Sequence, residues 1–257
     1  MKVSVRSLNL GLPMYEGIAA AGTMGFDGIA LWMGDGFLQR AQIEADCGAR
    51  VREACLQAGL EICAITGGLG SFLDPQHRPV AMAKARDELV VCELLDIPRI
   101  TSHVGVMPAD LSTPEARGMI EALRAIGDEA AAAGRTLCCE TGPEEAKTMY
   151  QFIRAVGSPG LKVNYDPANF LLMGFDWFEG VEILGEFVEH THAKDARVKP
   201  DGGTEQTPLG EGDIDFARWI RALREVGFDG WLCIEREGGD DLLGDCERGL
   251  HFLRELI

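Results

Sequence analysis

The chain has 257 residues, 46% of them hydrophobic and 25% charged, with a formal net charge of −17. This composition is typical of a globular protein with material for a large core, and the length matches the roughly 250 residues of one eight-unit α/β barrel. The acidic balance repels phosphate backbones and anionic lipid headgroups, so neither nucleic acid nor a membrane surface is an expected partner.

Short apolar runs alternate with amphipathic patterns along the whole chain. The predicted strands cover residues 3–8, 28–32, 61–66, 99–104, 136–140, 162–166, 187–193 and 230–235. The predicted helices cover residues 15–22, 49–58, 80–95, 114–133, 144–156, 177–184, 216–225 and 242–256. This alternation favours parallel strands joined by helical crossovers, and eight units predict a (β/α)8 TIM barrel.

The main structural alternative is an open, doubly wound sheet. Such a sheet typically carries a Gly-rich nucleotide loop after its first strand, whereas this chain continues with Asn9, Leu10, Gly11, Leu12 and Pro13. No linker or shift in composition divides the sequence. We therefore predict the closed barrel, as a single domain over residues 1–257.

The cysteines and the N-terminal segment indicate where the protein is found. The eight cysteines form no CxxC pair, and most lie in helical or strand patterns, so we expect free thiols in a reducing cytoplasm. The segment MKVSVRSLNLG has no signal-peptide apolar region, and no apolar run approaches the roughly 18 residues of a membrane span. We expect a cytoplasmic protein.

Four consecutive predicted strands, the fifth to the eighth, each end on a side chain of metal-ligand type. These side chains are Glu140, Asp166, His192 and Glu235. Active sites of such barrels lie at the C-terminal strand ends, and alternation along each strand lets all four point inward. Burying carboxylates is costly without a counter-charge, which a divalent cation supplies. Ordinary strand-end salt bridges are the simpler alternative.

We predict that these four residues hold one divalent metal ion. Their oxygen-rich donor set suits Mn²⁺ or Mg²⁺, with Co²⁺ or Zn²⁺ as alternatives. A bound ion that polarises a substrate carbonyl acidifies the neighbouring C–H bond. Glu140 and Glu235 could then act as acid and base on opposite faces of a cis-enediolate.

Several segments resemble the sugar isomerase/epimerase superfamily, whose members share a xylose-isomerase-like barrel. The resemblance rests on ETGP at 140–143, NYDPAN at 164–169, HTHAKD at 190–195 and PLGEGDID at 208–215. It covers essentially the whole chain and extends to ketose 3-epimerases and hydroxypyruvate isomerase-like proteins. In the ketose 3-epimerase branch it implies the same four metal ligands and the same two glutamates as acid and base. Asn169 stands where those epimerases often have a histidine.

Six further residues are candidates for binding the substrate: Trp32, His103, Glu144, Asn169, Lys194 and Arg197. His103 ends the fourth strand, and Lys194 shares the inward face of His192. Core packing is the alternative for Trp32, a structural role for His103, and a surface salt bridge for Arg197. Glu144 also suits a helix N-terminus, where negative charge is favourable.

The predicted function is a metal-dependent isomerase or epimerase acting on a ketose, a ketose phosphate or a related keto-polyol. One alternative is a dehydratase or lyase acting on a keto acid or an inositol-type substrate at a similar site. An abasic-site endonuclease would need more histidines than five and a basic face. A non-catalytic sugar-binding barrel is a further alternative, and a homo-oligomer is an expectation of the resemblance.

Overall fold

Eight parallel strands close into a barrel in the computed structural model, which describes residues 1–257. The barrel strands are β1 (Lys2–Arg6), β2 (Gly28–Met33), β3 (Glu61–Gly67), β4 (Arg99–Ser102), β5 (Thr136–Glu140), β6 (Leu161–Tyr165), β7 (Val188–Ala193) and β10 (Trp231–Ile234). Their order around the barrel is β1, β10, β7, β6, β5, β4, β3, β2, so that the first and last strands pair. The predicted (β/α)8 TIM barrel is confirmed.

Helices follow the strands and cover the outside of the barrel. They are α1 (Met14–Met24), α2 (Arg40–Asp46), α3 (Ala49–Gln57), α4 (Arg78–Leu95), α5 (Pro114–Ala132), α6 (Ala146–Val156), α7 (Pro167–Leu172), α8 (Glu179–Leu184), α9 (Phe216–Glu225) and α10 (Leu242–Arg254). Short 3-10 turns occupy Ser7–Leu10 and Gly185–Phe187. None of the helices combines the length and the apolar character needed to cross a bilayer.

The apolar core divides into two layers because strand side chains alternate. Outward-facing residues such as Val163 and Leu232 pack with the helices in the main core. A small separate cluster of Ala30, Cys63, Ala64, Trp231 and Cys233 fills part of the barrel interior. All eight cysteines are free thiols, and only Cys47 is exposed.

Three parts of the fold differ from the sequence prediction, and hydrogen bonds of two aspartate side chains explain two of them. Helix α7 starts directly after Asp166, whose Oδ1 accepts the N–H groups of Ala168 at 2.9 Å and Asn169 at 3.1 Å. After β7 the chain forms an antiparallel hairpin, β8 (Asp195–Val198) with β9 (Thr204–Thr207). The side chain of Asp195, at the start of β8, accepts the N–H groups of Gly210 and Gly212, both at 2.9 Å. These bonds tie the segment after β9 to the first strand of the hairpin. The third element, α2, has only one fully buried residue, so it lacks a clear apolar stripe.

A buried carboxylate supports the end of β3 from behind. Glu88 on α4 is 4% exposed and its Oε2 has no hydrogen-bond partner. Gly67 makes room for it, since a Cβ at that position would lie 1.9 Å from Glu88 Oε1. Burial raises the pKa of Glu88 to about 8, so the folded protein favours the protonated acid.

We expect Glu88 to make stability depend on pH. A folded-state pKa above the unfolded value favours folding at low pH, and this contribution is lost as pH rises towards about 8. Glu88→Gln removes the titration, so the variant should gain stability relative to wild type between about pH 5 and about pH 9. Urea unfolding at the two pH values measures the change. Glu93→Gln, exposed on the same helix, is the control, and an equal gain there would contradict the explanation.

Candidate metal centre and active site

The four predicted ligands meet at the C-terminal mouth of the barrel. Each offers one ligand atom, and these atoms all lie within 4.8 Å of one another. The four side chains come from the ends of β5, β6, β7 and β10 and are buried, the most exposed being Glu140 at 8%. They form a group that could hold a metal ion, and their role as ligands remains a prediction.

The carboxylate of Asp166 has one buried oxygen without a hydrogen bond. Its Oδ1 caps α7, whereas its fully buried Oδ2 accepts no hydrogen bond. The nearest cation is the ammonium of Lys194, at 3.5 Å from Oδ2. Burial raises the pKa of Asp166 to about 7 and the neighbouring Glu140 adds to the effect, although Lys194 opposes it. This oxygen therefore faces the other three predicted ligands with no hydrogen bond and with the Lys194 ammonium, 3.5 Å away, as its counter-charge.

Glu140 and His192 polarise each other across the site. His192 Nδ1 lies 3.3 Å from Glu140 Oε1 and 3.2 Å from Glu235 Oε2. Burial works against ionisation of Glu140, but its neighbours His192, His103 and Lys194 stabilise the carboxylate and lower the pKa of this carboxyl. Burial also lowers the pKa of His192. This favours the neutral imidazole, which is the form that binds metals.

Two cations that face the ligands offset part of their charge. Lys194, 3% exposed, places Nζ 3.1 Å from Glu235 Oε2 and 2.8 Å from Glu237 Oε2. Arg6, at the end of β1, pairs with Glu235 through its Nη1 and lies 3.8 Å from Glu237. Four carboxylates, counting Asp166 and Glu140, thus face two cations, and the formal charge that remains is −2. A divalent cation would balance it, so the donor set and the charge both fit such an ion.

The pocket above these residues has a volume of about 420 Å³ and is lined mainly by polar residues and glycines. Trp32 is its only hydrophobic lining residue, and the guanidinium of Arg6 lies 4.8 Å from the centre of that ring. Backbone at Gly67, Gly68 and Gly70 forms part of the wall. Such a pocket suits a hydroxyl-rich ligand that presents one apolar face.

The predicted substrate-binding residues fall into two groups. Trp32 and His103 line the pocket, and His103 Nε2 lies 3.4 Å from Glu140 Oε1. Asn169 Nδ2 donates to Glu140 Oε1 at 3.0 Å, so the amide orients a predicted ligand. Asn169 occupies the position where the resemblance leads one to expect a histidine. Lys194 lies among the carboxylates, as described above.

Glu144 and Arg197 lie apart from this group. Glu144 is buried and accepts the N–H of Met107 at 3.0 Å, and burial raises the pKa of its carboxyl to about 7. Arg197 is exposed on β8 and pairs with Glu205 of β9 at 2.7 Å. Neither residue lines the pocket. The surface salt bridge that was the alternative for Arg197 is the contact observed.

The sequence analysis missed two residues of the mouth, Arg6 and Glu237. Each carried a signal, because Arg6 is the one charged residue in the C-terminal half of β1, and Glu237 follows Glu235 at the two-residue spacing of one strand face. The same two-residue spacing relates Lys194 to His192, and it is the reason why Lys194 was predicted as a site residue.

Comparison with known proteins gives the same fold throughout the chain. The structure of a xylose isomerase domain protein from Planctomyces limnophilus is 24% identical, with a TM-score of 0.84, over 99% of this chain and 95% of that one. A probable 3-DHS dehydratase, AsbF from Bacillus anthracis, is 19% identical, with a TM-score of 0.80, over 99% of both chains. A D-psicose 3-epimerase in the presence of D-fructose is 19% identical, with a TM-score of 0.76, over 100% of this chain and 99% of that one.

Sequence comparison assigns the family. A curated relative, the uncharacterized protein MJ1311 of Methanocaldococcus jannaschii, is 24% identical over 113 residues, which span 43% of this chain and 36% of that protein. The sequence model of the xylose isomerase-like TIM barrel family matches residues 18–256. The chain therefore belongs to the xylose isomerase-like TIM barrel family.

Proposed function

We propose that the protein is a divalent-metal-dependent isomerase or epimerase acting on a ketose or a related keto-polyol, free or phosphorylated. The observation that carries this proposal is the pair Glu140 and Glu235, two buried carboxylates from strands on different sides of the ligand group. The polar pocket with a single tryptophan supports a sugar-like substrate. Free cysteines fit a reducing compartment, which we propose is the cytoplasm.

Glu140, Asp166, His192 and Glu235 would hold the ion, for which we favour Mn²⁺ or Mg²⁺. When bound, the ion supplies polarisation of the substrate carbonyl and adjacent hydroxyl, which acidifies the neighbouring C–H bond. His192 would contribute a nitrogen ligand, and Lys194 and Arg6 form direct ion pairs with Glu235. Asn169 holds the carboxylate of Glu140 by a hydrogen bond to Oε1.

The proton transfers then fall to the two glutamates. One removes the proton from the carbon next to the carbonyl, which leaves a cis-enediolate, and the other returns a proton. Return to the opposite face of the same carbon gives an epimer, and return to the neighbouring carbon gives an isomer. His103, half exposed beside Glu140, is within reach of a substrate hydroxyl at the pocket wall.

A dehydratase acting on a keto acid is the second candidate, and Arg6 is the observation that favours it. This guanidinium lines the pocket, and its buried Nε has no hydrogen-bond partner. A substrate carboxylate could accept from the guanidinium atoms that face the pocket. A probable 3-DHS dehydratase has the same fold, so the fold is compatible with this class of reaction. Loss of water from the substrate separates this chemistry from isomerisation, which only rearranges it.

Metal binding should stabilise the folded protein. An ion that binds only the folded state adds about 2.7 kcal/mol at 100 times its Kd, or about 5–10 °C in Tm for a chain of this size. We expect this shift with Mn²⁺ after chelator treatment and its loss in Asp166→Ala. Asp201→Ala, exposed in the hairpin turn, is the matched control. The metal proposal fails if Mn²⁺, Mg²⁺, Co²⁺ and Zn²⁺ all leave the melting temperature unchanged.

Substitution of the two glutamates should separate their roles. Glu140→Gln and Glu235→Gln each retain a ligand oxygen but cannot carry the proton, so turnover on ketose pairs should fall by about 10²–10⁴-fold. If each glutamate serves one face, each variant should still exchange the C–H proton of one epimer with D2O, and the two variants should retain opposite epimers. NMR of the recovered sugars measures the exchange.

Arg197→Ala is the control for this experiment, because Arg197 lies outside the pocket. It should keep turnover within about twofold of wild type, as surface substitutions usually do. Retention of exchange for the same epimer in both glutamine variants would rule out the two-face assignment. Release of water from a keto acid panel, with no reaction on ketoses, would replace the isomerase proposal by the dehydratase.

A further inference from the structure

A second group of metal-ligand side chains lies one layer below the first, inside the barrel. Cys63 of β3, His190 of β7 and Cys233 of β10 each offer one ligand atom, and these three atoms lie within 4.8 Å of one another. All three residues are buried, with 2%, 0% and 0% of their surface exposed. Neither the family resemblance nor the proposed reaction uses them.

The orientation of His190 is fixed by Asn164. His190 Nδ1 lies 3.0 Å from Asn164 Oδ1, an acceptor, so Nδ1 carries the proton. In the neutral ring Nε2 then has a free lone pair. This nitrogen is fully buried and has no hydrogen-bond partner. Nε2 is therefore the His190 atom that could share a metal ion with the two cysteine sulfurs.

This arrangement is the one found around protein-bound metals. A ligating histidine usually donates its other N–H to a carbonyl or carboxylate, which sets the tautomer and aims the lone pair at the ion. Ser4, paired in register with Cys233, lies close to both sulfurs, so the cluster includes a hydroxyl oxygen besides His190 Nε2.

Charge balance favours a divalent, thiophilic ion. Two thiolates and a neutral imidazole around Zn²⁺ carry no net charge, so the complex can be buried at little electrostatic cost. Zn–S bonds of about 2.3 Å place tetrahedral ligands roughly 3.8 Å apart, inside the 4.8 Å that encloses these atoms. Ser4 or a water molecule completes four ligands.

We propose that Cys63, His190 and Cys233 bind a structural Zn²⁺ ion in the barrel interior. The ion would join β3, β7 and β10 across the interior, three strands that are not all hydrogen-bonded neighbours. Below the cluster, Arg99 donates to the carbonyl of Cys63 at 3.1 Å, and Thr136 donates to Glu189 at 2.8 Å. Because all three residues of the cluster are buried, the ion would enter during folding and resist chelators afterwards.

Cobalt substitution tests the proposal in the full-length chain. Protein from cells grown in cobalt-supplemented minimal medium, dialysed against a chelator, should retain about one equivalent of Co²⁺ and show thiolate-to-cobalt charge-transfer absorption in the near ultraviolet. Cys63→Ala/Cys233→Ala should lose both signals. Cys92→Ala/Cys139→Ala, which changes two buried cysteines of the outer core, should keep them.

The Glu140→Gln/Glu235→Gln variant separates this site from the one above it. It should keep the charge-transfer band, because carboxylates do not produce that absorption. The proposal is overturned if wild-type protein lacks the band, or if the band survives in Cys63→Ala/Cys233→Ala. A Cys63–Cys233 disulfide in the non-reducing mass spectrum would also overturn it. Since the wild-type spectrum alone can decide, the test stands even if a double variant does not fold.

Discussion

Neutralisation of the buried carboxylates at the barrel mouth is the constraint on which the rest of this site depends. Glu140, Asp166 and Glu235 are held together with little access to water, where like charges repel strongly. The chain supplies only Lys194 and Arg6 against them, and Glu237 adds a further negative charge. Two cations cannot balance four carboxylates. The mouth therefore carries an excess of negative charge that fits the proposed divalent ion, and its two basic residues set how large that excess is.

The closed parallel sheet makes this concentration of charge possible. Parallel strands end at the same edge, and the register places Cys233 beside His192 and Asn164 beside Glu140. Side chains two positions apart then stack in layers inside the barrel. Residues far apart in the chain thereby share one small volume. The main core between strands and helices stabilises this arrangement against the repulsion between the carboxylates.

The barrel, and the meeting of Glu140, Asp166, His192 and Glu235 at its mouth, could be predicted because both follow from periodicity. Polar residues that end apolar strands stand out in the sequence, as Glu140 and Glu235 do. The hairpin of β8 and β9 could not be predicted this way, since Asp195 holds it by backbone hydrogen bonds to glycines fifteen and seventeen residues away. Arg197 illustrates the consequence. Sequence proximity to Lys194 made it a candidate for substrate binding, but the hairpin carries it to the surface and pairs it with Glu205.

Asn164 joins the two inward layers and gives the polar interior of the barrel a single orientation. Its amide oxygen accepts from His190 Nδ1, so its nitrogen must face the ring of His192, 3.2 Å from Nε2. If the amide were flipped, its NH2 group would face the N–H at His190 Nδ1, and two donors would meet. The proton position on His190 and the placement of the Asn164 amide nitrogen against the His192 ring are therefore set together. Asn164 is thus the residue that links the cluster of Cys63, His190 and Cys233 to His192, one of the four predicted ligands above it.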